Sequence, residues 1–117
     1  MTDVNQSLMI TNKEYLEFTR DTAIYPKDRE LEYLALGLSS EVGEVCGKIK
    51  KVIRDNQGVM SPAVKIAITD ETSDVVWYLV RLCDALGLSL TELLQHNYNK
   101  LSSRKERGTL SGSGDNR

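Results

Sequence analysis

Two stretches decide how this chain folds: Leu34-Ala-Leu-Gly-Leu-Ser-Ser-Glu-Val-Gly-Glu-Val-Cys-Gly-Lys48 and Ile68-Thr-Asp-Glu-Thr-Ser-Asp-Val-Val-Trp-Tyr-Leu-Val80. Each carries two acids three residues apart, Glu41 with Glu44 and Glu71 with Asp74. Residues at that spacing share one face of a helix. Two facing helices therefore bring four carboxylates toward one point. A solvated pair of glutamates is the ordinary alternative for either motif alone, because exposed charge is the norm.

The helical wheel, at roughly 100° per residue, separates these readings. In the first stretch Leu31, Leu34, Ala35, Leu38, Val42, Val45, Ile49, Val52 and Ile53 form one apolar stripe, with Glu41 at its edge and Glu44 and Lys48 a little further round. In the second, Val64, Ala67, Ile68, Val75, Leu79 and Leu82 form the stripe. Glu71 falls inside it, while Asp74, Tyr78 and Arg81 line its flank. A carboxylate on a core-facing row costs several kcal/mol unless something neutralises it. Two such charges about 4 Å apart repel by roughly 4 kcal/mol at an effective dielectric near 20. A hard divalent cation removes that cost, and Mg²⁺ takes oxygen ligands and is commonly completed by substrate phosphates. Pairing with Lys48 or Arg81 is the structural alternative.

These motifs resemble those of the MazG-like all-α nucleoside triphosphate pyrophosphohydrolases. The pattern reads Glu41-Val-Gly-Glu44, then Glu71-Thr-Ser-Asp74, within Gly-Leu-x-x-Glu-Val-Gly-Glu-Val and Glu-x-x-Asp-Val-Val-Trp-Tyr-Leu. Leu-Gly-Leu-Ser-Leu-Thr-Glu-Leu-Leu and Asn97-Tyr-Asn-Lys100-Leu101 are similar to the family's final helix, and the ending resembles a subgroup of small single-domain members. The resemblance covers about residues 30 to 117. It implies an all-α antiparallel bundle completed by oligomerisation, as a dimer or a tetramer of dimers. It implies Mg²⁺-dependent hydrolysis of nucleoside or deoxynucleoside triphosphates to the monophosphate and pyrophosphate, with Mn²⁺ as a substitute cation. Glu41, Glu44, Glu71 and Asp74 become the expected metal ligands, and Glu41 and Glu44 the pair expected to activate water. Lys48, Tyr78, Asn97 and Lys100 are the expected substrate contacts. Two other readings stay open: a non-enzymatic helical interaction module, and the same fold acting on another pyrophosphate-linked metabolite.

The rest of the chain fits one small domain. At 117 residues there is room for one core. Net charge is −2 with 27% charged residues of both signs interspersed, and the basic residues are not massed on one face except near the C-terminus, so no nucleic-acid-binding surface is indicated. No apolar run approaches the ~20 residues that span a bilayer, and no signal peptide is visible. Cys46 and Cys83, the only cysteines, read as reduced core residues of a cytoplasmic protein. His96 reads as a packing or solvated residue.

Residues 1–10 read as a flexible N-terminal segment, 11–107 as the helical domain and 108–117 as a Gly/Ser-rich, disordered tail. A short helix opens at the box Thr11-x-x-Glu14 and stops before Pro26. Asp28 is the expected cap of the long helix, which runs to about Asp55. Ser61-Pro62 opens the next, ending before Gly87, and Ser89-x-x-Glu92 opens the last, to about Arg104. Gly37 reads as space for phosphates beside the acids, and Gly43 and Gly47 as close packing or a subunit contact. Trp77 faces away from the acid row. The short turns near 56–60 and 87–88 favour antiparallel neighbours.

Overall fold

In a computed structural model, residues 9–117 are described; the segment expected to be flexible, residues 1–10, lies mostly outside them. Four helices follow one another: α1 (Asn12–Thr22), a 3₁₀ turn (Lys27–Arg29), α2 (Glu30–Asn56), α3 (Pro62–Ala85) and α4 (Leu90–Glu106). No strand occurs among the described residues. The all-α expectation holds.

Local chemistry sets the boundaries. Ser61 accepts from the Val64 N–H at 3.2 Å, with Pro62 at the first helical position. Ser89 and Glu92 form a complete capping box at the start of α4. At Thr11 only half of the expected box forms. The hydroxyl accepts from the Glu14 N–H and donates to the Glu14 carboxylate, so the carboxylate does not reach back to the Thr11 backbone. Asp28 is not the cap of α2: it sits inside the 3₁₀ turn, and α2 starts at Glu30 without a side-chain cap. Gln57 and Gly58 take the left-handed conformation and return their N–H groups to the Val52 carbonyl, which ends α2.

α2 and α3 form an antiparallel hairpin, and this pair makes the most extensive packing of the protomer. α1 lies against α3, and α4 touches only α1 and α3. Leu34, Val52, Val80 and Cys83 are buried within this framework. Much of the apolar stripe is not: Ile53 is 71% exposed, and Leu31, Val42 and Ile49 are about half exposed. Leu36, Ile66, Leu94 and Tyr98 also face outward. The radius of gyration, 17.8 Å, exceeds the roughly 13 Å expected of a compact chain this long. Gly43 and Gly47 have open space where a Cβ would stand, so they serve no close approach within the protomer. Cys46, expected in the core, is exposed, and Cys83 is buried.

A polar network joins α1 and the 3₁₀ connection to the hairpin. Arg81, 5% exposed, donates to Asp84 at 2.7 Å, to the Tyr25 hydroxyl at 3.3 Å and to Glu30 at 3.5 Å. Arg20 of α1 grips the same Asp84 with two hydrogen bonds, 2.8 and 2.9 Å long. Tyr25 stacks on Tyr33 with centroids 4.9 Å apart, and Lys27 lies over its ring. The hydrogen bond from Arg20, helped by Arg81, holds the Asp84 carboxyl down at about 2. Its ordinary value is 3.8, so the ionised form is favoured by folding. That stabilisation is complete above about pH 4 and is lost as pH falls through 2. Asp84→Asn is therefore expected to cost about 1–2 kcal/mol near neutrality and progressively less toward pH 2. Urea denaturation of both proteins at pH 6 and pH 2.5 measures it; a pH-independent difference would sink the assignment.

The tail departs from the disordered end expected of its composition. Arg117 turns back and donates to the carbonyls of Thr109 (3.2 Å), Leu110 (3.4 Å) and Gly114 (2.7 Å). Arg104, buried near the end of α4, donates to the Asp115 carbonyl at 3.0 Å. Gly112 and Gly114, both at positive φ, permit the reversal. Composition signalled the glycines but not the arginine that gathers the tail's carbonyls.

Candidate metal centre and nucleotide groove

The acidic residues meet where the stripes of α2 and α3 face each other. Glu41, Glu71 and Asp74 each place one carboxylate oxygen within 4.8 Å of the other two. Glu41 and Glu71 are partly buried and Asp74 is exposed. The helical spacing delivers Glu71 and Asp74 together, and the antiparallel hairpin brings Glu41 across to them. Glu44 stands one turn along α2, exposed and outside this trio, yet its charge reaches Glu41. Burial, then the charges of Asp74, Glu71 and Glu44, push the Glu41 carboxyl above its ordinary value. Among the described residues, no ion pair within 4 Å reaches any of the four acids. Arg81, the structural alternative as a partner, is committed to Asp84 and Glu30 instead.

The donor set fits a hard divalent cation. All three groups offer carboxylate oxygen, the ligand type Mg²⁺ takes. Glu41, Glu71 and Asp74 would hold such a cation, which would supply positive charge beside substrate phosphates.

An aromatic wall adjoins the acids. Glu41, Asp74, Trp77 and Tyr78 line a groove of about 330 Å³. Trp77 meets Tyr78 edge to face at 5.0 Å and donates its indole N–H to the Thr22 hydroxyl at 2.8 Å. This corrects the expectation that Trp77 faces away from the acid row. Residue 77 is three beyond Asp74, a spacing the wheel places beside the acid, and that signal was open to reading. Burial and the neighbouring Tyr33 hydroxyl, followed by the Glu41 and Asp74 charges, raise the Tyr78 phenol. Tyr15 of α1 is likewise raised, by burial first and then by the Asp74 charge. No sequence signal linked Tyr15 to Asp74, which lies on another helix.

The other expected substrate contacts lie elsewhere in the protomer. Lys48 lines a separate groove near the hairpin turn, with Lys51, Asp55, Asn56 and Ser61. Asn97 lines a third groove between α4 and the tail, with Tyr98, Lys105 and Leu110. Lys100 is exposed on α4. None of the three lines the acid groove of this protomer. The α-helical spacing that places Lys48 one turn beyond Glu44 does not turn it into the groove, and α4 departs from the hairpin.

The fold and site together define an all-α protein whose helical hairpin presents clustered carboxylates beside an aromatic groove. The model of the MazG nucleotide pyrophosphohydrolase domain matches residues 29–109, which include all four acids, and the chain belongs to this family. It is 43% identical over 103 residues to the Gene 37 protein of Mycobacterium phage L5, across 83% of this chain and 90% of the phage protein. No solved structure matches significantly. Among the described residues, no helix is long and apolar enough to cross a membrane.

Proposed function

We propose that the chain hydrolyses nucleoside or deoxynucleoside triphosphates to the monophosphate and pyrophosphate, with Mg²⁺ as its cation and Mn²⁺ as a substitute. One observation carries the reading: three carboxylate oxygens from facing helices converge within 4.8 Å with, among the described residues, no cationic side chain to pair them. Isolated like charges so arranged oppose folding, and a bound cation reverses that cost. The family supports the phosphate-anhydride chemistry.

Glu41, Glu71 and Asp74 would hold the cation, with Glu44 within reach on the next turn of α2. When bound, it would offset charge on the phosphate oxygens during displacement. Glu41 and Glu44 are the carboxylates suited to orient the attacking water and accept its proton. Tyr78 and Trp77 give the groove a ring surface for the nucleoside. Lys48, Asn97 and Lys100 suit phosphate and sugar, and they would reach the groove from a second protomer or after a shift of α4. The exposed stripe of Leu31, Val42, Ile49 and Ile53 supports a homo-oligomer, a dimer or a tetramer of dimers. The free thiols Cys46 and Cys83 suit the cytoplasm.

The deciding assay is pyrophosphate release from a panel of NTPs and dNTPs, with Mg²⁺ and with EDTA. The expected result is Mg²⁺-dependent release that falls on the order of a hundredfold in Glu44→Ala. A folded protein that releases no pyrophosphate from any nucleotide would favour the interaction module or another pyrophosphate-linked substrate.

A further inference from the structure

Gly37 lies one turn before Glu41 in α2, and the expectation that it leaves space for phosphates is not met. The space is filled by Tyr78. A Cβ built at Gly37 would fall inside van der Waals contact of three atoms of the Tyr78 ring, with Cδ1 at 2.7 Å. The ring therefore rests directly on the α2 backbone, which only glycine permits. Its other surroundings are equally definite. Trp77 meets it edge to face, and the Trp77 indole is itself tied to Thr22 at 2.8 Å. Tyr78 lines the same groove as Glu41 and Asp74. Tyr78 is thus wedged between a helix backbone and an anchored indole, at the border of the acid groove.

We propose that Gly37 is a positioning residue for the nucleoside end of the substrate: it seats Tyr78 on α2, so that Tyr78 and Trp77 form the wall against which the sugar or base lies. This rests on the hydrolase reading and deepens it. A side chain at position 37 would lift the Tyr78 ring toward the groove and narrow the space left for a nucleoside. The acids on α2 and α3 would keep their places, because neither helix has to move when one ring rotates. The consequence is a separation of effects. Nucleoside binding should suffer and phosphate binding should not.

The test compares Gly37→Ala, Tyr78→Leu and the double variant, using Mg²⁺ with the preferred nucleoside triphosphate and with inorganic tripolyphosphate. Trp77 is the only tryptophan, so its near-ultraviolet circular dichroism and fluorescence report the wall directly. For Gly37→Ala the expected result is a KM about tenfold higher, a kcat within about threefold of wild type, and unchanged inhibition by tripolyphosphate. The Trp77 spectrum should change. In the Tyr78→Leu background, adding Gly37→Ala should have no further effect, because the ring it displaces is gone. An unchanged KM and Trp77 spectrum would overturn the proposal. So would an equal loss of tripolyphosphate inhibition, or a cost that simply adds in the double variant. Alanine favours helix over glycine, so Gly37→Ala should fold; if it does not, the double variant against Tyr78→Leu decides alone. A wild-type protein whose Trp77 fluorescence responds to nucleotide without pyrophosphate release overturns the hydrolase reading only. The response of Gly37→Ala to the same nucleotide then still decides the role of Gly37.

Discussion

Glu71→Gln is expected to lower pyrophosphate release on the order of a thousandfold while leaving the metal-free protein as stable as wild type or more so. Glu71 stands partly buried between Glu41 and Asp74, and no lysine or arginine pairs with it among the described residues. The substitution keeps shape and removes one of the charges that raise Glu41. Catalysis loses a ligand, and the apo fold loses a repulsion. The sign with pH follows from Glu41. Its carboxyl titrates above its ordinary value in the folded protein, so the folded state binds the proton more tightly than the unfolded chain does. Without a cation, stability should fall as pH rises past the ordinary carboxylate range. Added Mg²⁺ should recover it, and the gain should be smaller in Glu71→Gln. Thermal melts at pH 5 and pH 8, with Mg²⁺ and with EDTA, read this directly. A variant that unfolds, or a wild-type melt indifferent to Mg²⁺, would instead make Glu71 a structural residue.

Arg81→Met is expected to destabilise the protein by about 3 kcal/mol or more. The guanidinium is nearly inaccessible, and it joins Asp84, Glu30 and Tyr25. Methionine fills much of the volume but leaves the partly buried Glu30 carboxylate without a cation, held only by the Tyr25 hydroxyl. Asp84 keeps Arg20, so the loss concentrates where the 3₁₀ turn meets α3. Domains of this size are stable by only about 5–15 kcal/mol, so the melting temperature should drop by on the order of 10 °C. α1 should loosen first, which amide exchange at Tyr15 to Thr22 would show. A loss under about 1 kcal/mol would mean that water already satisfies the network. Because Tyr15 and the Trp77 anchor Thr22 both lie on α1, activity should decline along with stability.

The fold was legible because its signals are local. Ser61-Pro62 and Ser89-x-x-Glu92 are chemistry between residues a few positions apart, and both act where their spacing placed them. Asp28 failed because capping competes with the 3₁₀ turn after Pro26, and that contest is settled by Tyr25 docking on Tyr33 and Arg81. The acid pairs were legible for the same local reason: i,i+3 spacing fixes a shared face, and an acid on the apolar row shows that the face is turned inward.

Sequence by itself therefore determined the helices, their antiparallel pairing and the face on which Glu41, Glu71 and Asp74 meet. Tertiary structure alone decided the rest. It set Glu44 outside the trio, committed Arg81 to Asp84 rather than to the acids, and turned Trp77 into the groove. It filled the gap at Gly37 with Tyr78 and packed α1 against α3. The physical reason is one of range. Helix periodicity is carried by the backbone and repeats every few residues, whereas a side chain's partner across the bundle depends on the rotation and offset of two helices. A single sequence leaves both unstated until packing sets them.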